Sequence, residues 1–207
     1  MSKSPVASGA ASRGPGRPRE FDLDAVLDKA IGVFSEYGYH ATSLSRLTAA
    51  VEITEGSLYK AFSDKRAVFI AAFERYVSMR GERLAQALQS AHTGRERVRA
   101  MLEVYAEYSQ GKSGRRGCLV VGSAVDLASS DPEMAKRVAA AFDTHEKRLA
   151  AFIREGQEDG SISPAIDVAA TALTLLSVLQ GMRVLGKTGR SRDEMAGVVE
   201  RALRLIE

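Results

Sequence analysis

The residues best suited to covalent chemistry in this sequence are few and far apart. Cys118 is the single thiol. It lies in Arg115-Arg116-Gly117-Cys118-Leu119, at an expected helix start, where two cations and a helix N-terminus favour the thiolate that attacks electrophiles and oxidants. A lone cysteine beside Leu and Val is more often a small buried hydrophobe, so both roles stand at this point. The three histidines, His40, His92 and His145, form no pair at metal-ligand spacing, and one cysteine is too little for a tight zinc site. No metal, cofactor or catalytic set is expected. Gly181, Gly186, Lys187 and Thr188 match the phosphate-loop pattern, which read literally would make a nucleotide hydrolase. Such a loop must follow a buried strand and open a helix so that backbone N–H groups cradle phosphates. Here residues 169–185 read as a helix and the Gly-Lys-Thr falls at its end, so the enzyme reading is set aside.

A second group of residues suits binding rather than bond-making. Thr42 and Ser43 stand where a short helix should begin, and a helix N-terminus offers free N–H groups and a positive dipole end to a phosphate. Thr54 opens another short helix, in which Gly56 would let the backbone approach a groove floor and Glu55, Ser57 and Lys60 would approach base edges or phosphates. Only Val51-Glu52-Ile53 separates the two helices. Two short helices joined by so tight a turn have the spacing of a helix-turn-helix, at about residues 43–62.

These residues must be held by helices. After the first twenty residues only Pro132 and Pro164 interrupt the chain, and no segment alternates with the period of two that marks a strand. Apolar residues recur every three or four positions, as in Val26, Ala30, Phe34 and Tyr37, then Phe69, Ala72, Phe73 and Tyr76. Caps punctuate the pattern: Asp22 before the first helix and Gly38 after it, Thr42 or Ser43 before the second, Thr54 before the third, Ser63 or Asp64 before the fourth. Longer helices are expected at about 94–111, 117–129, 131–159, 166–186 and 191–206, the third of these opened by Asp131-Pro132. The total is nine helices, all-α, with Leu44, Leu47, Ile53, Leu58 and Phe62 as the small core under the turn.

With 207 residues and 45% hydrophobic content the chain can bury a substantial core. No run approaching the ~18 apolar residues of a membrane span is expected, and residues 1–20 lack the apolar stretch of a signal peptide. A cytoplasmic protein without a membrane role is the expectation, and a single thiol suits a reducing compartment. The net charge of +3 is concentrated in the arm: Lys3, Arg13, Arg17 and Arg19 against Glu20. A cationic arm on a near-neutral body fits a nucleic-acid tail. Within it, Gly14-Pro15-Gly16-Arg17-Pro18-Arg19 resembles the core of an AT-hook, whose Arg17 and Arg19 would enter a narrow minor groove; a plain leader with general phosphate affinity is the other reading.

Over residues 20–80 the sequence resembles the TetR family of transcription regulators. The resemblance rests on Gly38-Tyr39-His40-Ala41-Thr42-Ser43-Leu44, then Ile53-Thr54-Glu55-Gly56-Ser57-Leu58-Tyr59-Lys60-Ala61-Phe62, then Asp64-Lys65. It departs where the family usually has Gly and this chain has Glu52, whose carboxylate could reshape the turn and repel phosphates. Gly117-Cys118-Leu119-Val120-Val121 also resembles a branch that includes electrophile-responsive members. The resemblance implies a basic arm at 1–19, a three-helix DNA-binding domain at 20–80 and a larger helical effector and dimerisation domain at 81–207. It implies that Thr42, Ser43, Arg46, Thr54, Glu55, Gly56, Ser57, Tyr59, Lys60 and Lys65 face double-stranded DNA, with Tyr59, Lys60 and Lys65 on the backbone. It implies a homodimer on a palindromic operator, joined through the last two helices by residues such as Leu175, Leu179, Met182, Val198 and Leu203. A small-molecule effector would release the repressor from its operator; Met101, Tyr105, Tyr108, Phe142 and His145 could line its cavity, although such a stripe more often makes a core, and an input through Cys118 is the alternative.

Overall fold

The computed structural model describes residues 22–207, so Arg17, Arg19 and the rest of the arm expected at the minor groove lie outside the described residues. The described residues form helices and no strand: α1 (Leu23–Tyr37), α2 (Leu44–Val51), α3 (Glu55–Ala61), α4 (Lys65–Leu88), α5 (Gly94–Tyr108), α6 (Gly111–Arg116), α7 (Leu119–Asp126), α8 (Pro132–Asp159), α9 (Val168–Gly186) and α10 (Arg192–Ala202), closed by a 3-10 turn at Leu203–Ile206. Each of the nine expected helices is present. The addition is α6, six residues of Gly, Ser and basic side chains with no apolar face to announce them.

Side-chain caps set most boundaries, because the first N–H groups of a helix have no intrahelical partner. Asp22 accepts from the N–H groups of Asp24 and Ala25, Ser43 from Arg46, Thr54 from Ser57 and Asp64 from Ala67. Asp131 does the same ahead of Pro132. Gly38 ends α1 at φ 77°, a conformation a Cβ would strain.

Two clusters of buried side chains lie under these helices. One gathers Phe34, Leu47, Leu58, Val68 and Phe69 from α1–α4 and takes in Leu119 from α7 and Met134 and Val138 from α8. The other joins the end of α4 to α5, α8, α9 and α10. The small core expected under the turn is there: Leu47 and Leu58 are fully buried, while Leu44, Ile53 and Phe62 pack against them partly exposed. Phe142 packs against both clusters.

The long helices correct four sequence expectations about the dimer. Leu175, Leu179, Met182 and Leu203 have at most 1% of their surface exposed and belong to the core of this one chain, leaving no side chain for a partner; of the five residues named, only Val198 is partly open. Both sides of α9 are apolar, and sequence alone cannot say which side the chain itself covers. For the same reason α9 meets the length and hydropathy of a membrane-spanning helix, against the expectation that no segment would. Its Leu175, Leu176 and Leu179 side is packed inside the helical body and it carries the buried Arg183. The Gly-Lys-Thr string closes α9: Gly186 sits so close to the Ser109 carbonyl that a Cβ would meet it at 2.5 Å, and the Thr188 hydroxyl donates to the Leu185 carbonyl. A helix end that leads into a turn has no cradle of free N–H groups, which is why the match carries no phosphate chemistry.

Candidate DNA-reading surface and effector cavity

The α2–turn–α3 unit stands on Leu47 and Leu58 and turns a polar face outward. Ser43, Arg46, Thr54, Glu55, Gly56, Tyr59 and Lys60 are exposed and Ser57 is half-buried. The Thr54 and Ser57 hydroxyls lie 3.0 Å or less apart, at 2.9 Å, and nothing lies within 4 Å of a Cβ built on Gly56, so α3 can approach a groove along its whole first turn. Arg46 is steadied by the Tyr37 ring, 4.1 Å from its centroid, and by the Ala41 carbonyl.

Two residues expected on this surface do other work. Thr42 is fully buried, and its hydroxyl donates to the Gly38 carbonyl at 2.6 Å. It locks the α1–α2 connection and cannot touch DNA with its side chain. Lys65 is half-buried; its ammonium donates to the carbonyls of Tyr39 and Thr42, both at 3.0 Å, and lies over the Tyr39 ring. It ties the start of α4 to the same connection. Its sequence neighbours resemble a phosphate anchor because a lysine at a helix start suits either role, and only the fold brings the carbonyls to it.

The turn residue Glu52 adopts the left-handed conformation at φ 60° and ψ 35°, the only non-glycine with positive φ among the described residues. Its carboxylate pairs with Lys29 on α1 at 2.7 Å, which holds its pKa below the ordinary carboxylate value. The turn therefore keeps the shape a glycine would give it, and Lys29 offsets the negative charge.

The reading unit is bound directly to the larger helical body. Arg66 on α4 makes a forked contact to Asp131 and reaches Glu133 at 2.7 Å; Arg137 on α8 pairs with Glu74 on α4; and Asp126 at the end of α7 accepts from the Tyr39 N–H at 3.2 Å. These contacts tie α4, α7 and α8 to one another and to the α1–α2 connection.

Between α4, α5, α7, α8 and α9 lies a narrow cavity of about 40 Å³, space for a few waters. Of the residues named from the sequence, Tyr105, Tyr108, Phe142 and His145 line it. Met101 does not; it is wholly buried in the neighbouring core, one helical turn away from the wall residues Val104 and Tyr105. Cys118 is on the wall, half-buried, 3.4 Å from the Tyr76 hydroxyl that donates to it. Burial, reinforced by the neighbouring thiol, pushes the Tyr76 hydroxyl up to about 12, and burial raises Tyr105 further; both phenols stay protonated. His145 is pulled down to about 4, by burial first and by the charge of Arg148 second, and stays neutral. The sequence reading missed Tyr76, Arg80, Gln180 and Arg183, which complete the wall. One signal was available: Arg183 interrupts the apolar run of α9.

Known proteins share this architecture and much of this sequence. The family described as "Bacterial regulatory proteins, tetR family" matches residues 26–72, and "Tetracyclin repressor-like, C-terminal domain" matches residues 94–204. The transcriptional repressor ComR of Escherichia coli K12 is 29% identical over 92% of this chain and 91% of its own length. The regulator YezE of Bacillus subtilis is 26% identical over 93% of this chain and 100% of its own. A cysteine mutant of the TetR family regulator CifR, solved with a 26-base-pair operator DNA, superposes with a TM-score of 0.81 at 33% identity, over 91% of this chain and 98% of that one. With the C-terminal match alone spanning more than half of its length, this chain belongs to the TetR family of bacterial transcription regulators.

Proposed function

We propose that the protein is a dimeric repressor that grips a palindromic operator through α3 and is released by a small molecule entering the cavity behind α4. The observation that carries this reading is the α2–turn–α3 unit: Thr54, Glu55, Gly56, Ser57, Tyr59 and Lys60 on one side, Leu47 and Leu58 buried on the other. Tyr59 and Lys60 bear on the DNA backbone, and the N-terminus of α2 at Ser43 takes a phosphate. Functionally the chain divides into an arm at 1–19, a reading domain at 20–80 and an effector and dimerisation domain at 81–207. It acts in the cytoplasm as a binding protein rather than an enzyme.

The dimer face in this reading is the outer side of α9 and α10. Leu173 and Val184 are each 53% exposed and Leu205 is 40% exposed, and Val178, Gly197 and Val198 line a shallow groove beside them. Apolar side chains in such a row are costly in water and are covered when the same face of a second copy meets them about a two-fold axis. A ligand that wedges between α4 and α8 moves the start of α4 and so the spacing of the two reading helices.

The test is binding of the purified protein to the DNA beside its own gene, at two salt concentrations, with a Tyr59→Ala control. Specific, salt-sensitive binding that the substitution weakens is expected; equal affinity for unrelated DNA overturns the reading. A second input rests on Cys118 at the cavity wall, within reach of the Tyr76 hydroxyl. A Cys118→Ser variant that still releases DNA in response to thiol-reactive compounds excludes it.

A further inference from the structure

The cavity wall carries positive charge and no acid. Arg183 is 3% exposed; one of its amino groups, Nη2, donates to the Gly117 carbonyl at 2.7 Å, while Nη1 is buried without a hydrogen-bond partner among the described residues. His145 Nδ1, on the same wall, is buried and unpartnered among the described residues, and so is Gln180 Nε2, which faces the Tyr105 hydroxyl without reaching hydrogen-bond geometry. Arg80 lies flat against the Tyr108 ring at 3.4 Å and over Tyr76 at 4.7 Å, which stabilises its charge without neutralising it. Neither arginine has an ion pair among the described residues, although thirteen such pairs occur elsewhere.

A buried guanidinium without a counter-ion is destabilising and is retained where something repays it. Beside the phenols and Cys118, the rest of the wall is apolar, with Val77, Leu84, Val104, Val120 and Phe142 facing the same space. We propose that the effector is a small organic carboxylate, its two oxygens on Arg183 Nη1 and Gln180 Nε2 and its apolar body among these side chains. A carboxylate fits better than a phosphate, which brings more oxygens and charge than these few donors can satisfy. The space of about 40 Å³ holds the carboxylate and little more, so the apolar body must displace part of the wall, which includes Val77 and Arg80. Both are on α4, the helix whose first residue, Lys65, holds the α1–α2 connection. Entry of the anion thereby works on the reading unit. This inference rests on the reading of the chain as an effector-released DNA-binding regulator.

The experiment is calorimetric titration of the full chain, without DNA, with hexanoate and benzoate and with the corresponding neutral amides. The acids are expected to bind at least roughly tenfold more tightly than the amides, the ratio that one charged hydrogen bond supplies. Arg183→Met should shrink the difference, with Arg80 left as the remaining cation. Because Arg183 also holds Gly117, Gln180→Leu serves as the second variant, which leaves that contact in place and should weaken acids and amides alike while the preference for acids survives. Equal affinity for acids and amides, or no acid binding at millimolar concentration by the folded protein, overturns the proposal. Acid binding that appears only in Cys118→Ser also overturns it, since Cys118 would then already occupy the anion's place. The same acids are added to the protein on operator DNA: binding without release refutes their role as effectors, while acid binding by a protein that recognises no specific DNA refutes the regulator reading and leaves the anion site intact.

Discussion

The reading surface and the effector cavity use polar residues in opposite ways. On α2 and α3 they stand in water, and each hydroxyl that caps a helix finds its partner within three residues: Ser43 with Arg46, Thr54 with Ser57. In the cavity, the buried Arg183 and the half-buried Gln180 and His145 each keep one buried nitrogen without a hydrogen-bond partner among the described residues. The first arrangement is locally complete and awaits a ligand that supplies only its own surface. The second is incomplete, and unsatisfied buried donors bias the structure toward whatever can complete them. The lesson is that the proposed DNA side is preformed, while the proposed effector side holds unfavourable terms that a ligand would relieve.

That contrast can be broken by substitution, and the largest effect should come from the support of the reading surface. Leu58→Ala removes the buried residue on which α3 rests and should cost about 2–4 kcal/mol, read as a fall in the denaturant midpoint together with loss of operator binding. A neutral outcome would mean that α3 is not held from below.

Next in size is a pH effect confined to the cavity. His145 has its pKa lowered from 6.5 to about 4, so between those values the unfolded chain takes up a proton that the folded chain refuses. Stability should therefore fall as pH drops from 6.5 toward 4, by up to about 3 kcal/mol from this group. Chemical denaturation across that range checks it, and His145→Phe should flatten the slope; a slope unchanged in the variant would place the loss in other groups.

A smaller effect separates two lysines. Lys60→Ala should reduce the salt dependence of operator binding by about one counterion, because Lys60 is exposed on the DNA side. Lys65→Met should leave that slope unchanged, cost about 1–2 kcal/mol of stability through its two lost carbonyl contacts, and weaken all DNA sequences alike. A reduced salt slope in Lys65→Met would return it to the phosphate contacts.

The smallest effect concerns the turn. Glu52→Gly should change stability by less than about 1 kcal/mol, because relief of the left-handed strain is offset by the freer unfolded chain and by the lost pair with Lys29. Glu52→Val should be destabilising, since a β-branched residue resists that conformation. Thermal unfolding of the two variants orders them.

How much of this was legible follows from how far apart the interacting residues lie in sequence. The helix-turn-helix was readable because its caps, turn and buried leucines all fall between Gly38 and Lys65 and repeat at helical spacing. Thr42 and Lys65 were misassigned within that same stretch, because their true partners are carbonyls of a connection whose path is set by α1 and α4. Tyr105, Tyr108, Phe142 and His145 could be picked out as aromatic positions on helices, yet Met101 fits the same pattern and points into the core.

The sequence by itself determined every described helix but α6, most of their caps and the family, since hydrophobic period and capping are local properties carried by neighbouring residues. Only the tertiary structure decided which apolar side of α9 is core and which is open, why Glu52 tolerates the turn, and that Arg80, Cys118, Gln180 and Arg183 share one wall. Burial and counter-charge depend on what other helices bring to the same place, and five helices spread over more than a hundred residues meet at that cavity.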